Sequence, residues 1–135
     1  MQTSLTWKGE GLRFEARNEQ GASCTFDGKG EQGPSPMEAV ALALASCSAI
    51  DVLMILQKMR QDVRACRCHV QAQRRDEIPK TFTQLHLHYE LEGQLDPRKV
   101  EQALVMSHEK YCSVGAMLKA AGVTIEYDFE LLPAL

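Results

Sequence analysis

The longest apolar run in the chain, PMEAVALALASCSAIDVLMIL at 36–56, places the strongest limit on the fold. It has a clear helix start, because Ser35 can cap the first turn and Glu38 completes a capping box. The stretch 39–50 carries no charge, so this helix has no polar face. We predict a helix from 36 to about 59 that is buried nearly all round. One chain of 135 residues cannot easily cover it, and a homodimer that packs two such helices together is expected.

A membrane span is the alternative interpretation of the same run. Glu38 and Asp51 both lie inside it, and several of its residues are alanines. These features favour a buried core helix over a span.

The hydrophobic period changes several times along the rest of the chain. In the segment HLHYELEG, apolar residues alternate with His and Glu, as in a half-buried strand. The pattern predicts an α+β domain that occupies the whole of 1–135. Its predicted elements besides the long helix are two or three strands within 3–28, hairpin arms at 63–75 and 81–92, a helical region over 96–121 that breaks within SHEKYCS and restarts near Ser113, and a last strand at 123–131.

Charge and cysteine content exclude several functions. The net charge of −3 and the lack of a basic stripe give no basis for nucleic-acid binding. The first residues, MQTSLTWKGEGLRF, have no signal-peptide pattern. We therefore expect a cytoplasmic protein, not membrane-bound, whose five cysteines are reduced thiols. No cofactor is expected.

Two cysteines interrupt helical patterns, Cys47 in the long helix and Cys112 in the second helical region. A thiol in a core helix usually behaves as a small hydrophobe. Two of them on separate helices raise a second possibility, in which one attacks a substrate and the other resolves the product as a disulfide. Asp51 lies one turn after Cys47 and would oppose ionisation of a neighbouring thiol, so we expect it to be paired or turned away.

Some of the remaining cysteines and histidines are candidate metal ligands. Alternation places Cys66 and Cys68 on the core side of their strand and His86 and His88 on the solvent side of the next strand, so no zinc site is expected. The near neighbour of Cys112 in sequence, His108, is expected to be an exposed turn residue. Cys24, in the segment ASCTFD, is expected to be only a strand residue.

The string GPSPMEAVALALASCSAIDVLMILQK, followed downstream by KYCSVGAML, resembles the OsmC/Ohr family of thiol-dependent hydroperoxide reductases. The resemblance covers essentially the whole chain. It implies antiparallel sheets around long central helices and an intertwined homodimer. It also implies that Cys47 is the peroxidatic thiol and Cys112 the resolving thiol. The implied substrates are organic hydroperoxides, and the implied reductant is a dithiol such as a lipoylated protein.

The family places a Glu at the start of the central helix, where it orients an Arg that stabilises the thiolate. By resemblance, Glu38 is the catalytic candidate. In the family this Glu directly follows the proline, whereas here Met37 follows Pro36 and Glu38 comes one residue later. The same Glu38 also fits a purely structural capping role. Arg13 and Arg17 are the candidates for the cation.

Three functions stay open. The first is a peroxidase for organic hydroperoxides. The second is a dimer with this fold that binds a small molecule without turnover, and the third is a structural dimer with no small-molecule chemistry. The first two share a fold and a pocket, so the reactivity of the thiols is what separates them.

Overall fold

Helix α1 (Pro36–Lys58) forms from the apolar run, as predicted. The capping box is confirmed, because the Ser35 N–H donates to Glu38 Oε1 at 2.9 Å and the Glu38 N–H donates to Ser35 Oγ at 3.4 Å. Arg60 follows the helix in the left-handed conformation, with φ at 59°. The N–H of Gln61 then donates to the carbonyl of Leu56, which closes the last turn.

The burial of α1 differs from the expectation. Its buried residues form one stripe, consisting of Leu44, Ala45, Ser48, Val52 and Leu56. Leu42, Ile50 and Met54 on its other sides are each more than half exposed. Within the described part of the chain, α1 is the one helix long and apolar enough to cross a membrane, and 28% of its most apolar window is buried. The elements of one chain therefore cover only one side of this helix.

The computed structural model describes residues 1–133, and the chain divides into two compact units, Met1–Val40 and Ala41–Leu135. The first unit contains the predicted short strands and the start of α1. These strands form one antiparallel sheet in the order β1 (Thr3–Trp7), β2 (Arg13–Asn18) and β3 (Ser23–Asp27).

The loop between β3 and α1 is built around Asp27, which is 2% exposed. Its carboxylate accepts the N–H of Lys29 at 2.9 Å and the N–H of Gln32 at 3.0 Å. These backbone donors, together with Arg13 nearby, hold the pKa of Asp27 below its usual value. The sequence of this stretch indicates only a loop.

The second unit contains the predicted hairpin, the two shorter helices and the last strand. Its elements are β4 (Asp62–Arg74), β5 (Phe82–Gln94), α2 (Pro97–Met106), a π-helical turn (Ser107–Tyr111), α3 (Ser113–Ala120) and β6 (Thr124–Leu132). The core side of β5 presents Leu85, Leu87, Tyr89 and Leu91, each with no exposed surface. The alternation found in the sequence is thus confirmed.

The α+β fold class is confirmed, with one difference in the second sheet. Strand β5 pairs antiparallel with β4 but parallel with β6. Two parallel neighbours cannot be joined by a tight turn, and α2, the π turn and α3 supply the long connection between them. The connection brings the end of the π turn, and with it Cys112, against the buried stripe of α1.

Candidate functional site

The structure brings Cys47 and Cys112 together. Cys47 is half-buried on α1, and Cys112 is 3% exposed at the residue that caps the start of α3. Cys47 lies close enough to Cys112 to raise the pKa of the Cys112 thiol, and all five cysteines are free thiols. The two positions selected from the sequence are therefore neighbours in the fold.

Opposing influences act on the Cys112 thiol. Burial raises its pKa most, and the nearby Cys47 and Asp51 raise it further. In the other direction, the Gly115 N–H donates to Cys112 Sγ at 3.3 Å, as the first turn of a helix does for a capping residue. The raising influences are larger, so Cys112 rests as a protonated thiol. Among the groups of the described chain that shift this pKa, none is a cation.

Gly115 allows this close approach. A Cβ built on it would lie 3.3 Å from Cys112 Sγ and 3.5 Å from Leu44 Cδ1. The first of these contacts is tighter than ordinary van der Waals contact, so a larger residue would displace the thiol slightly. No pattern in the sequence marks this glycine.

Asp51 is paired, as expected, and its partner is Ser107 at the start of the π turn. The fully buried Ser107 donates its hydroxyl to Asp51 Oδ2 at 3.0 Å and lies 3.3 Å from the Ser48 carbonyl. The Ser107 carbonyl in turn accepts the Cys112 N–H at 2.8 Å. One serine therefore connects α1 to the residue that carries the second thiol.

A second buried network lies beside this contact. Tyr89 OH is hydrogen-bonded to Ser48 Oγ and lies 2.9 Å from His108 Nε2. The His108 ring stacks on Tyr127 with centroids 4.1 Å apart, and Lys119 Nζ donates to the His108 carbonyl at 2.7 Å. The network ties α1, β5, β6 and the π turn together.

The expectation for His108 was wrong, because this residue is 5% exposed and not a solvent-facing turn residue. Burial, with the charge of Lys119, lowers the pKa of His108 to about 4, so the ring is neutral near pH 7. His108 lies four residues after the buried Leu104, so it continues the buried face of α2. This spacing in the sequence is the signal that could have placed it in the core.

The structure places Glu38, the third predicted site residue, in the capping box of α1. The Ser35 N–H and hydroxyl lower the pKa of Glu38 and hold its carboxylate at the helix start. Arg13 Nε lies 3.6 Å from Asp27 Oδ2, and Arg17 is ion-paired with Glu15. Both candidate arginines thus have carboxylate partners within the first unit.

The other cysteines lie where the alternation put them. Cys66 and Cys68 stand opposite Leu91 and Tyr89 on the core face of the sheet, whereas His86 and His88 pair with carboxylates on the other face. Burial raises the pKa of Cys68 to about 11. Of the residues that the structure describes, no group of three or more His, Cys, Asp or Glu could hold a metal ion.

A cavity of about 400 Å³ opens on α1 one turn beyond the thiol pair. Its walls are mainly apolar, with Asp51 and Lys58 as the charged groups. It is lined by Asp51, Met54, Ile55, Lys58, Met59, Met106 and Tyr111.

Comparison with known proteins gives a consistent picture. A family model described as OsmC-like protein matches residues 28–128. Protein YhfA of Escherichia coli strain K12 is 43% identical over 136 aligned positions, which cover 99% of this chain and 100% of YhfA. A crystal structure of a hypothetical protein from Aquifex aeolicus VF5 has a TM-score of 0.87 and 30% identity, covering 99% of this chain and 97% of that one.

The same fold occurs in proteins described by their role in peroxide resistance. The organic hydroperoxide resistance protein OhrB of Bacillus subtilis superposes with a TM-score of 0.67 at 14% identity, covering 96% of this chain and 98% of that one. At this identity the likeness shows a shared fold.

The buried imidazole predicts a specific pH dependence of stability. Because the pKa of His108 is lowered in the folded protein, the unfolded chain takes up a proton between about pH 6.5 and about pH 4 that the folded chain does not. His108 therefore reduces the free energy of unfolding as the pH falls through that window. Urea unfolding at about pH 7.5 and about pH 5 should show a smaller acid-induced loss in His108→Gln than in the unmodified protein.

His88→Gln is the matched control with the opposite sign. Asp128 raises the pKa of His88, so protonated His88 stabilises the fold below its unfolded pKa, and this contribution is lost as the pH rises through the folded value. His88→Gln should therefore make the acid-induced loss in the free energy of unfolding larger. An unchanged pH dependence in His108→Gln would contradict the neutral buried state of His108.

Proposed function

The chain belongs to the OsmC-like protein family, and we propose that it is a two-cysteine peroxidase that reduces organic hydroperoxides. The observation that carries the proposal is the proximity of Cys47 on α1 to Cys112 at the start of α3. The shared fold with organic hydroperoxide resistance proteins supports the substrate class.

In the proposed reaction, the Cys47 thiolate attacks the distal oxygen of the hydroperoxide. The O–O bond breaks, an alcohol leaves with a proton, and Cys47 becomes a sulfenic acid. The Cys112 sulfur then attacks the Cys47 sulfur, the S–O bond breaks, and water leaves as the disulfide forms. A dithiol reductant, such as a lipoylated protein, exchanges with this disulfide and restores both thiols.

The assignment of roles follows from exposure and charge. Cys47 is the more exposed thiol of the pair, and a peroxide must reach the thiol that it oxidises. Cys112 is buried, and its raised pKa keeps it protonated, which suits a thiol that acts second. Glu38 takes part in the proposal as the residue that would orient a thiolate-stabilising arginine.

A second candidate function is binding of a small molecule without turnover. The cavity beside Asp51 favours it, because apolar walls with two charged groups are typical of ligand pockets.

We also propose that the protein is a cytoplasmic homodimer that packs through α1. The exposed apolar side of α1, which includes Leu42, Ile50 and Met54, is unfavourable in water. A second copy of the same helix would cover it and form a closed interface with twofold symmetry.

The decisive prediction concerns the thiols. A modest excess of an organic hydroperoxide should convert Cys47 and Cys112 into an intramolecular disulfide, while Cys24, Cys66 and Cys68 stay reduced. Peptide mass mapping after treatment measures this directly. Cys112→Ser should leave Cys47 trapped as a sulfenic or overoxidised acid, and Cys47→Ser should abolish hydroperoxide consumption. If Cys47 stays reduced while other thiols oxidise, the binding function replaces the peroxidase.

A second prediction separates the two roles of Glu38. Glu38→Gln retains the capping box, because a Gln side chain still reaches the Ser35 N–H, so stability should change little. If Glu38 only caps the helix, the rate of Cys47 oxidation should also be retained. A loss of rate of about tenfold or more with an intact fold would assign Glu38 to the orientation of an arginine.

The oligomer gives a third prediction. Light scattering at micromolar concentration should give about twice the 15.1 kDa mass of one chain. Ile50→Arg should shift the protein toward the monomer, because it places a charge on the apolar side of α1. Ile78→Arg, at a position 88% exposed in the β4–β5 turn, is the matched control and should leave the dimer intact. A monodisperse species of one-chain mass would contradict the dimer.

A further inference from the structure

The contact between Asp51 and Ser107 does more than satisfy two polar groups. Asp51 follows Cys47 by one helical turn and so lies on the same side of α1. Its hydrogen-bond partner Ser107 begins the π turn, and the carbonyl of Ser107 accepts the N–H of Cys112, where that turn ends. The two thiols are therefore connected by a short chain of contacts that runs through a single serine.

We propose that Asp51 is a positioning residue for the thiol pair. Through its hydrogen bond to Ser107, it holds the turn that ends in Cys112 against α1. Ser107 has no exposed surface, and its hydroxyl also lies 3.3 Å from the Ser48 carbonyl, so its orientation is fixed. A displacement of the turn by an ångström would slow attack between the two sulfurs strongly.

The charge of Asp51 acts on the same thiol in a second, separable way. The groups facing Cys112 are Cys47 and Asp51 from α1, the N–H of Gly115 from α3, and Tyr89 from β5. The carboxylate raises the pKa of Cys112, whereas the Gly115 N–H lowers it. Asp51→Asn keeps an oxygen that accepts the Ser107 hydroxyl but removes the charge. The effect of the hydrogen bond and the effect of the charge can therefore be measured separately.

The inference deepens the proposed function, since it concerns the resolving step, but it can be tested without a hydroperoxide. Oxidised glutathione reacts with the Cys47 thiolate to give a mixed disulfide and one glutathione thiolate. The Cys112 sulfur then attacks the Cys47 sulfur, the bond to glutathione breaks, and a second glutathione leaves with the Cys112 proton. The second step uses the same two sulfurs as the peroxidase cycle.

The experiment follows both steps by mass spectrometry after addition of oxidised glutathione to the full chain. Asp51→Ala and Ser107→Ala should accumulate the mixed disulfide at Cys47 and close the Cys47–Cys112 disulfide about fivefold more slowly, the effect of losing one hydrogen bond. Formation of the mixed disulfide itself should be unchanged in Ser107→Ala, which keeps the Asp51 carboxylate. Asp51→Asn should close the disulfide at least as fast as the unmodified protein.

Thr83→Ala is the matched control, because Thr83 is an exposed residue of β5 whose hydroxyl donates to the Gln73 carbonyl. It should leave both steps unchanged. Thermal unfolding of each variant shows whether the fold persists, and Ser107→Ala provides the milder test if Asp51→Ala does not fold.

Alkylation of Cys112 measures the effect of the Asp51 charge alone. In a Cys47→Ser background, Asp51→Asn should raise the rate at which iodoacetamide alkylates Cys112 at about pH 8. Loss of the carboxylate lowers the pKa of Cys112, and the larger thiolate fraction outweighs the lower nucleophilicity of that thiolate, so alkylation should become faster. Ser107→Ala retains the carboxylate and should not show this gain.

Several outcomes would overturn the inference. It fails if Asp51→Ala and Ser107→Ala close the disulfide at the unmodified rate, or if Asp51→Asn is as slow as Asp51→Ala. It also fails if the unmodified protein forms the mixed disulfide but never the internal one. A protein that closes the disulfide with glutathione yet ignores hydroperoxides would refute the proposed peroxidase and leave this inference standing.

Discussion

The candidate site depends on one packing contact, between the buried stripe of α1 and the turn that precedes α3. Ser48 lies on that stripe, and Ser107 and His108 meet it from the π turn through hydrogen bonds that are almost completely withdrawn from water. Buried polar groups are costly unless each finds a partner, so this contact tolerates few alternative arrangements. Because Cys47 and Cys112 flank these residues in sequence, fixing the contact also fixes the distance between the two thiols.

The sequence predicted the elements well because most of them carry strong local signals. The capping box at Ser35 and Glu38, the alternation along β5 and the break before Ser113 all depend on neighbouring residues, and each is confirmed. The positions of Cys47 and Cys112 in two helical patterns raised their pairing as a possibility, and the family resemblance assigned their roles. Nothing in local periodicity could have brought residues on two helices together.

The errors both concern burial. His108 was expected to be an exposed turn residue, whereas it lies four residues after the buried Leu104 and continues the buried face of α2. The burial of α1 was overestimated because the charge-free run shows what the helix requires but not how much of it one chain can cover. Asp27 and Gly115 carry no periodic signal, and their roles depend on backbone groups brought close by the fold.

The electrostatics of the two thiols suggest why the pair is asymmetric. The start of α3 offers Cys112 a backbone N–H and the positive end of a helix dipole, both of which favour a thiolate. Burial and the carboxylate of Asp51 act in the opposite direction and prevail. The half-buried Cys47 is the thiol of the pair that a reagent from solvent can reach. A pair built in this way keeps its inner thiol protonated until its partner has reacted, because only then does a nearby electrophilic sulfur make the loss of that proton favourable.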